Sequence, residues 1–318
     1  MPPIPTSTRI HFFDIKSALP GPKQSFSPNT LRTRLSLNYK AIPYTESFIS
    51  YPDIEPLWKS LGLNPPQEKS TVVPAYTLPV ILVKAPEKSN ANGPTQTGTS
   101  TEARFPYDMK HRTITVPHFG AVTAISQTFD IAKTLDMLFP PPQYPALFHS
   151  DHSIKTAHNV QEVVKKLVPS VRRLVIPSIP LILDDRGQRY FIDTRRRWFG
   201  VQNLDELRPK TPNEALEVWG NIDVGIGEMV EAIKGNEKSH MLQGPFAKGT
   251  ASVYADFIIV AFLAWIQRAD VELWENLMDI GGDVLRELWD ALSPFLKGQG
   301  ELIEWEIERP LESAARGS

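Results

Sequence analysis

The sequence lacks cysteine entirely, although the chain is 318 residues long. Disulfide bridges and thiolate metal ligands are therefore excluded, and any thiol on which this protein acts must arrive with a ligand. An excess of charge of one sign is lacking as well, because 34 Lys and Arg residues nearly balance 36 Asp and Glu residues, for a net charge of −2. Without a long block of like charge, we expect neither nucleic acid nor a membrane as a partner.

Long hydrophobic runs and the glycine-rich motifs of nucleotide-binding proteins are also missing. The apolar run at residues 257–266 is shorter than the roughly 18 residues that a membrane-spanning helix needs. No secretory leader pattern opens the sequence, so we expect a cytoplasmic protein. His149 and His152 lie close together, but no clear third ligand accompanies them, and we expect no metal site.

Residues 26–39 show the pattern around which the rest of the chain is organised. Ser27 followed by Pro28 predicts a helix start, because serine caps free N–H groups and proline suits the first helical position. Arg32 and Arg34 fall outside the apolar stripe of this helix. That stripe is predicted from the apolar residues at four-residue spacing, which are Leu31, Leu35 and Tyr39.

A short apolar strand is predicted at residues 10–15, before this helix, and the start of such a helix can bind an anion. The unpaired N–H groups and partial positive charge at its N-terminus favour the thiolate form of a bound thiol. In this protein such a thiol would belong to a ligand, and the Ser27 hydroxyl would lie beside it. The alternative is that Ser27 only caps the helix.

The order of the predicted elements divides the chain into two domains. Strands and helices alternate up to the three prolines at residues 140–142, and the pattern is helical after them. We therefore predict an α/β domain at residues 1–145 and an all-α domain at residues 146–318. The central helix of the second domain is predicted at residues 256–268, which are apolar on nearly all sides.

Three features inside these domains concern surface or core placement. Residues 84–118 are predicted to be a long loop, either a plain surface insertion or a lid or partner-binding loop, in which residues 112–116 could form a strand. Arg195–Arg197 are assigned to a solvated helix face, with contact to an acidic substrate group or partner as the alternative. Leu216 is assigned to the buried face of its helix.

Several short motifs occur together in this order. Residues 27–34 are S-P-N-T-L-R-T-R, residues 75–81 are A-Y-T-L-P-V-I, and residues 125–135 are I-S-Q-T-F-D-I-A-K-T-L. With residues 190–200 and 254–257, they resemble the glutathione transferase superfamily, most closely the fungal-specific class A (β-etherase-like, serine-type) glutathione transferases. The resemblance covers most of the chain and implies a thioredoxin-like N-terminal domain with a C-terminal helical bundle.

The resemblance also implies a glutathione site in the first domain. Its residues would be Ser27, Asn29, Leu78, Pro79, Val80, Gln127 and Thr128. Ser27 would donate a hydrogen bond to the glutathione thiolate, and Asn29 would assist or replace it. A cis turn at Pro79 would let the backbone of Val80 pair with the cysteinyl unit. Gln127 and Thr128 would hold the γ-glutamyl end, although glutamine replaces the Asp or Glu usual in the family and leaves the ligand's ammonium without a neutralising charge.

For function, the resemblance implies an enzyme that activates the glutathione thiol for attack on a hydrophobic electrophile between the two domains. The reaction would be conjugation, ether cleavage or glutathione-assisted isomerisation, with a role in secondary metabolism as one expectation. The alternative is a non-catalytic, glutathione-transferase-like ligand-binding protein. The resemblance also implies a homodimer, in which the first domain of one subunit packs against the helices of the other, and the insertion at residues 84–118 could obstruct that surface.

Overall fold

The computed structural model describes residues 8–65, 74–84, 111–116, 119–234, 244–247 and 249–307. A mixed sheet forms the N-terminal part of the described chain. Its strands are β1 (Arg9–Ile15), β2 (Thr45–Ile49), β3 (Val80–Lys84), β4 (His111–Val116), β5 (Gly120–Ser126) and β6 (Glu301–Leu302). They lie in the order β4-β5-β3-β1-β2-β6, with β1 and β2 parallel and β3 antiparallel to both β1 and β5.

Eight helices accompany this sheet in the described part of the chain. They are α1 (Pro28–Tyr39), α2 (Ile54–Ser60), α3 (Thr128–Leu138), α4 (Asp151–Val175), α5 (Asp185–Phe199), α6 (Pro212–Lys234), α7 (Tyr254–Ala269) and α8 (Val271–Leu292). The first three belong to the part of the chain that forms the sheet, and the other five form a helical bundle. The predicted fold class, an α/β domain followed by an all-α bundle, is thus confirmed.

The centre of the bundle is α7, as the sequence predicted. Residues 254–266 of this helix are buried without interruption. It packs against α1 from the sheet side and against α4 and α8 from the bundle side. Burial on all sides explains why this helix has no polar face, since every face meets an apolar neighbour.

Helix α1 is held to the sheet by buried charges rather than by an apolar stripe alone. The guanidinium of Arg34 is fully buried and forms ion pairs with Asp14 on β1 and Glu46 on β2, the first at 3.1 Å. Lys40 follows the helix and donates to Asp136 on α3 at 2.7 Å. Leu31 and Leu35 of the predicted stripe are buried, but Arg32 and Arg34, predicted to fall outside it, are buried as well, because α1 is covered on all sides.

The structure differs from the sequence-based boundaries at several points. Residues 301–302, assigned to the all-α domain, pair in parallel with β2 and extend the sheet. Within the predicted loop at 84–118, the strand expected as a possibility at 112–116 is present as β4, which pairs with β5. Residues 85–110 and 117–118 lie outside the described residues. Helix α4 continues through Pro169. Leu216 is 75% exposed, so its assignment to a buried face was wrong, and Val218 takes that position.

None of the helices in the described ranges has a segment that is both long enough and apolar enough to cross a membrane.

Candidate functional site

Ser27 lies where the sequence placed it, immediately before the first residue of α1. Its backbone is extended, with φ −68° and ψ 132°, and its side chain makes no capping hydrogen bond. Instead its carbonyl oxygen accepts from the Leu31 N–H at 2.9 Å and from the Thr30 hydroxyl at 3.2 Å. The Ser27 hydroxyl is therefore not used by the helix, and the simple capping role is not observed.

The turn before β3 contains a cis peptide bond between Leu78 and Pro79. Trp58 on α2 supports this turn, because its indole N–H donates to the Thr77 carbonyl at 2.9 Å. Val80 begins β3 and pairs with Phe13 on one side and with Ser126 on the other. Val80 is therefore inside the sheet, whereas Leu78 and Pro79 precede the paired region.

Sheet register brings the three predicted groups of site residues to one end of the sheet. Because β3 is antiparallel to β1, the turn at Leu78 and Pro79 lies beside the carboxyl end of β1. Gln127 follows Ser126, the partner of Val80, so it lies beside the same turn. The parallel β1–α1–β2 connection puts the start of α1 at that end as well.

Gln127 has an unusual backbone. Its φ is +72°, a value that residues other than glycine rarely adopt. Such strained residues cluster at functional sites, where the surrounding structure holds them in place. The Gln127 side chain is exposed and Thr128 is the first residue of α3, so both are accessible at the sheet end.

A cavity of about 440 Å³ opens between the start of α1 and the helical bundle. Ser27 and Asn29 line it from the first domain. Its apolar wall combines aliphatic residues and prolines with seven aromatic residues, which are Phe26, Tyr51, Phe191, Trp198, Phe199, Phe262 and Trp265. Leu78, Pro79, Val80, Gln127 and Thr128 do not line this cavity. Thus the cavity joins Ser27 and Asn29 to an apolar space, and the other predicted residues lie outside it.

The same cavity has cationic residues that sequence reasoning did not select. Arg32 is 5% exposed, and its Nη1 donates to Gln161 Oε1 at 2.7 Å. Arg172 on α4 and Arg195 on α5 also line the cavity, and Arg195 stacks on Trp198 with its Cζ 3.9 Å from the ring centre. Arg32 and Arg172 were missed, and Arg195 was placed on a solvated face with acidic-group contact as the alternative. The triple-arginine segment was the only sequence signal for this cluster.

No group of three or more His, Asp or Glu residues in the described ranges could hold a metal ion. His149 is instead within hydrogen-bond distance of the Ser252 carbonyl, with its Nε2 at 3.2 Å. His152 is exposed at the start of α4.

The chain is similar to one family model, to a protein of known sequence and to solved structures, and these similarities agree with one another. A family model described as "Glutathione S-transferase, C-terminal domain" matches residues 157–295. The chain is 36% identical over 302 residues to the glutathione S-transferase-like protein ustS of Aspergillus flavus, covering 94% of this chain and 95% of that protein. Among solved structures, a Ceriporiopsis subvermispora glutathione S-transferase in complex with glutathione has a TM-score of 0.68 at 23% identity, over 90% of this chain and 97% of that one. Glutathione transferase GSTFuA2 of Phanerochaete chrysosporium has a TM-score of 0.67 at 24% identity, over 92% and 99%.

Proposed function

Because the chain belongs to the glutathione transferase superfamily, we propose that it binds glutathione where α1 begins and activates the thiol there. The observation that best supports this is the Ser27 hydroxyl, which makes no capping bond and lines the cavity. A thiolate at this position would accept the hydroxyl hydrogen bond and meet the free N–H groups of the helix start.

We assign the remaining contacts to glutathione to residues at the end of the sheet where α1 begins. We assign the cysteinyl unit to the backbone beside the cis turn at Leu78 and Pro79, with Val80 as the predicted partner. Gln127 and Thr128 are assigned to the γ-glutamyl end. The strained φ of Gln127 and its exposed side chain support this assignment.

The reaction is attack of the thiolate on a hydrophobic electrophile in the aromatic cavity. In conjugation or ether cleavage, a C–S bond forms while the bond to the leaving group breaks, and the leaving group departs with the electron pair. In isomerisation, the thiolate adds to a double bond and is later eliminated, so glutathione is regenerated. We propose this general activity and a role in secondary metabolism without choosing among the three reactions.

The experiment that tests this proposal is an ultraviolet titration of bound glutathione, which reports the thiolate, on the wild type and on Ser27→Ala. Removing one charge-assisted hydrogen bond should raise the pKa of the bound thiol by roughly one to two units, because such a bond is worth about 1.5–3 kcal/mol. Turnover near neutral pH should fall about tenfold or more and recover partly at higher pH.

Asn29→Ala serves as the companion variant, because Asn29 lines the same cavity and is exposed. If the titration shifts with Asn29→Ala and not with Ser27→Ala, the thiolate partner is Asn29. Absence of glutathione binding at millimolar concentration in calorimetry would contradict the proposal for the whole site.

The second candidate function is a binding protein without turnover. It is favoured by one observation, the uncharged Gln127 in the position predicted to face the ligand's ammonium. Binding of glutathione with an unperturbed thiol titration and no product from any electrophile would support this alternative.

A further inference from the structure

The cavity beside Ser27 has an unbalanced charge. Among the described residues, its lining includes the cations Arg32, Lys165, Arg172 and Arg195, and no Asp or Glu. Lys165 is exposed and lies 3.5 Å from Glu162, so part of its charge is neutralised outside the cavity. The three arginines form no ion pair with a carboxylate in the described part of the chain. An apolar pocket normally does not hold several unpaired cations, because burial of an unpaired charge is unfavourable.

Arg195 and Arg172 face this cavity from two different helices. Arg195 stacks on Trp198 and Phe191, at 3.9 Å and 4.3 Å from the ring centres, and donates to the Thr194 hydroxyl at 3.0 Å. Burial lowers the pKa of both guanidinium groups, and the positive charge of Arg172 lowers that of Arg195 further. Stacking occupies the face of a guanidinium and leaves the N–H groups at its edge available to a planar anion.

Arg32 provides an independent observation on the α1 side of the cavity. Arg32 is only 5% exposed, and its Nη1 donates to the neutral Gln161 Oε1 at 2.7 Å, while its Nε has no hydrogen-bond partner among the described residues. Burial lowers the pKa of this group as well. Arg32 therefore adds a buried positive charge to the cavity lining, and its printed acceptor there is a neutral amide.

The arginines next to Arg172 and Arg195 in sequence face away from the cavity and differ in their partners. Arg173, next to Arg172, pairs with Glu214 at 3.1 Å. Arg197, two residues after Arg195, pairs with Asp193 at 2.5 Å. Arg196 points to solvent and donates to Gln202 at 3.2 Å. Arg173 and Arg197 thus have carboxylate partners, whereas exposed Arg196 is solvated and the arginines of the cavity have neutral acceptors or aromatic rings in the described part of the chain.

We propose that the second substrate is an aromatic or otherwise apolar acid, whose carboxylate is bound by Arg172 and Arg195 with Arg32 nearby. This inference rests on the proposed function, because it names the substrate class of the same site. The aromatic wall would hold the apolar body of the molecule, and the arginines would orient it toward Ser27. The other source of a carboxylate is the glycyl end of glutathione itself, which the experiment must separate.

The test measures binding of 2-naphthoate and of its neutral analogue 2-naphthamide by calorimetry, without glutathione. The wild type should bind the acid at least tenfold more tightly than the amide. Arg172→Gln and Arg195→Gln should each weaken binding of the acid about tenfold or more, and change binding of the amide less than twofold. The control is Arg196→Gln, on the same helix as Arg195 but exposed, which should change neither.

Glutathione binding to the same proteins separates the two sources of carboxylate. Unchanged glutathione affinity in Arg172→Gln and Arg195→Gln supports an acidic second substrate. Weaker glutathione binding with unchanged naphthoate binding assigns the arginines to the glycyl carboxylate and overturns the proposal. Equal binding of acid and amide by the wild type also overturns it. Because naphthoate is titrated alone, its binding can be measured even if the protein does not bind glutathione. Two arginine variants are used so that the test remains possible if one of them does not fold.

Discussion

At the scale of single residues, Gln127 tests how the ammonium of glutathione is recognised. The side chain is exposed and its backbone is held at φ +72°. Gln127→Glu would place a negative charge at the position predicted to face the ammonium. An exposed ion pair contributes about 0.2–1 kcal/mol, so glutathione affinity should rise by up to about fivefold.

Calorimetry at low and high salt would measure this gain, which should shrink as salt screens the pair. The control ligand is a glutathione analogue without the amino group, for which Gln127→Glu should give no gain. An equal gain for both ligands would show that Gln127 does not face the ammonium.

His11 is a buried residue from which we expect a contribution to the pH dependence of stability. It is fully buried against Phe13, Phe119 and Trp305, and in the described part of the chain only its Nδ1 has a hydrogen-bond partner, Thr45 Oγ1 at 2.7 Å. Burial lowers its pKa from 6.5 to about 3. Between these two values the unfolded chain binds a proton at His11 that the folded protein does not, so the contribution of His11 to stability falls as pH decreases below about 6.5.

The predicted contribution of His11 is a loss of about 2 kcal/mol in the free energy of unfolding between about pH 7 and pH 5. His11→Phe should remove this part of the slope in urea unfolding measured at both pH values. His152→Phe, the same change at an exposed position, should leave the slope as in the wild type. An unchanged slope in His11→Phe would mean that His11 becomes protonated without unfolding.

At the scale of elements, the position of α1 depends on the buried arginine that ties it to the sheet. Arg34 pairs with Asp14 and Glu46, and its Nη1 also donates to the Gly298 carbonyl at 3.2 Å. The two carboxylates hold the pKa of Arg34 above its ordinary value despite burial. The helix that carries Ser27 at its start is therefore joined to two strands and to the segment before β6 through one side chain.

Arg34→Met should lower the free energy of unfolding by about 3–5 kcal/mol, because it leaves two carboxylates without their cation in the core. The matched control is Arg286→Met, whose partner Asp279 is 71% exposed and whose loss should change stability by less than about 1 kcal/mol. Urea unfolding of both variants gives the comparison. Similar small losses would show that water reaches the Arg34 site and solvates the carboxylates.

At the scale of the whole molecule, the expected assembly is a homodimer of the kind that the family resemblance implies. Light scattering should give twice the mass of one chain. A second variant, in which residues 88–108 are replaced by a short glycine-serine linker, tests the insertion. A dimer only in that variant would mean that the insertion obstructs the surface, and monomers in both would contradict the homodimer prediction.

Helix starts and buried helices could be predicted from the sequence because they depend on interactions within one short segment. Ser27-Pro28 marks a helix start through the constraints on its own backbone, and the apolar residues of α7 require burial wherever the helix lies. The fold class and the residues of the sheet end followed from such patterns together with the family resemblance. The cis bond at Leu78-Pro79, implied by that resemblance, is present in the structure.

Only the tertiary structure decided where the charges lie. Arg172 and Arg195 come from α4 and α5, and their meeting in one cavity depends on helix packing that no single stretch of sequence specifies. The sequence places Arg34 outside the apolar stripe of its helix, yet the residue is buried in the core, where it forms ion pairs with Asp14 and Glu46 from two strands. Strand β6 joins β2 from more than 250 residues away. Burial of a charge depends on contacts between distant segments, so its effect on binding and stability appears only in the folded chain.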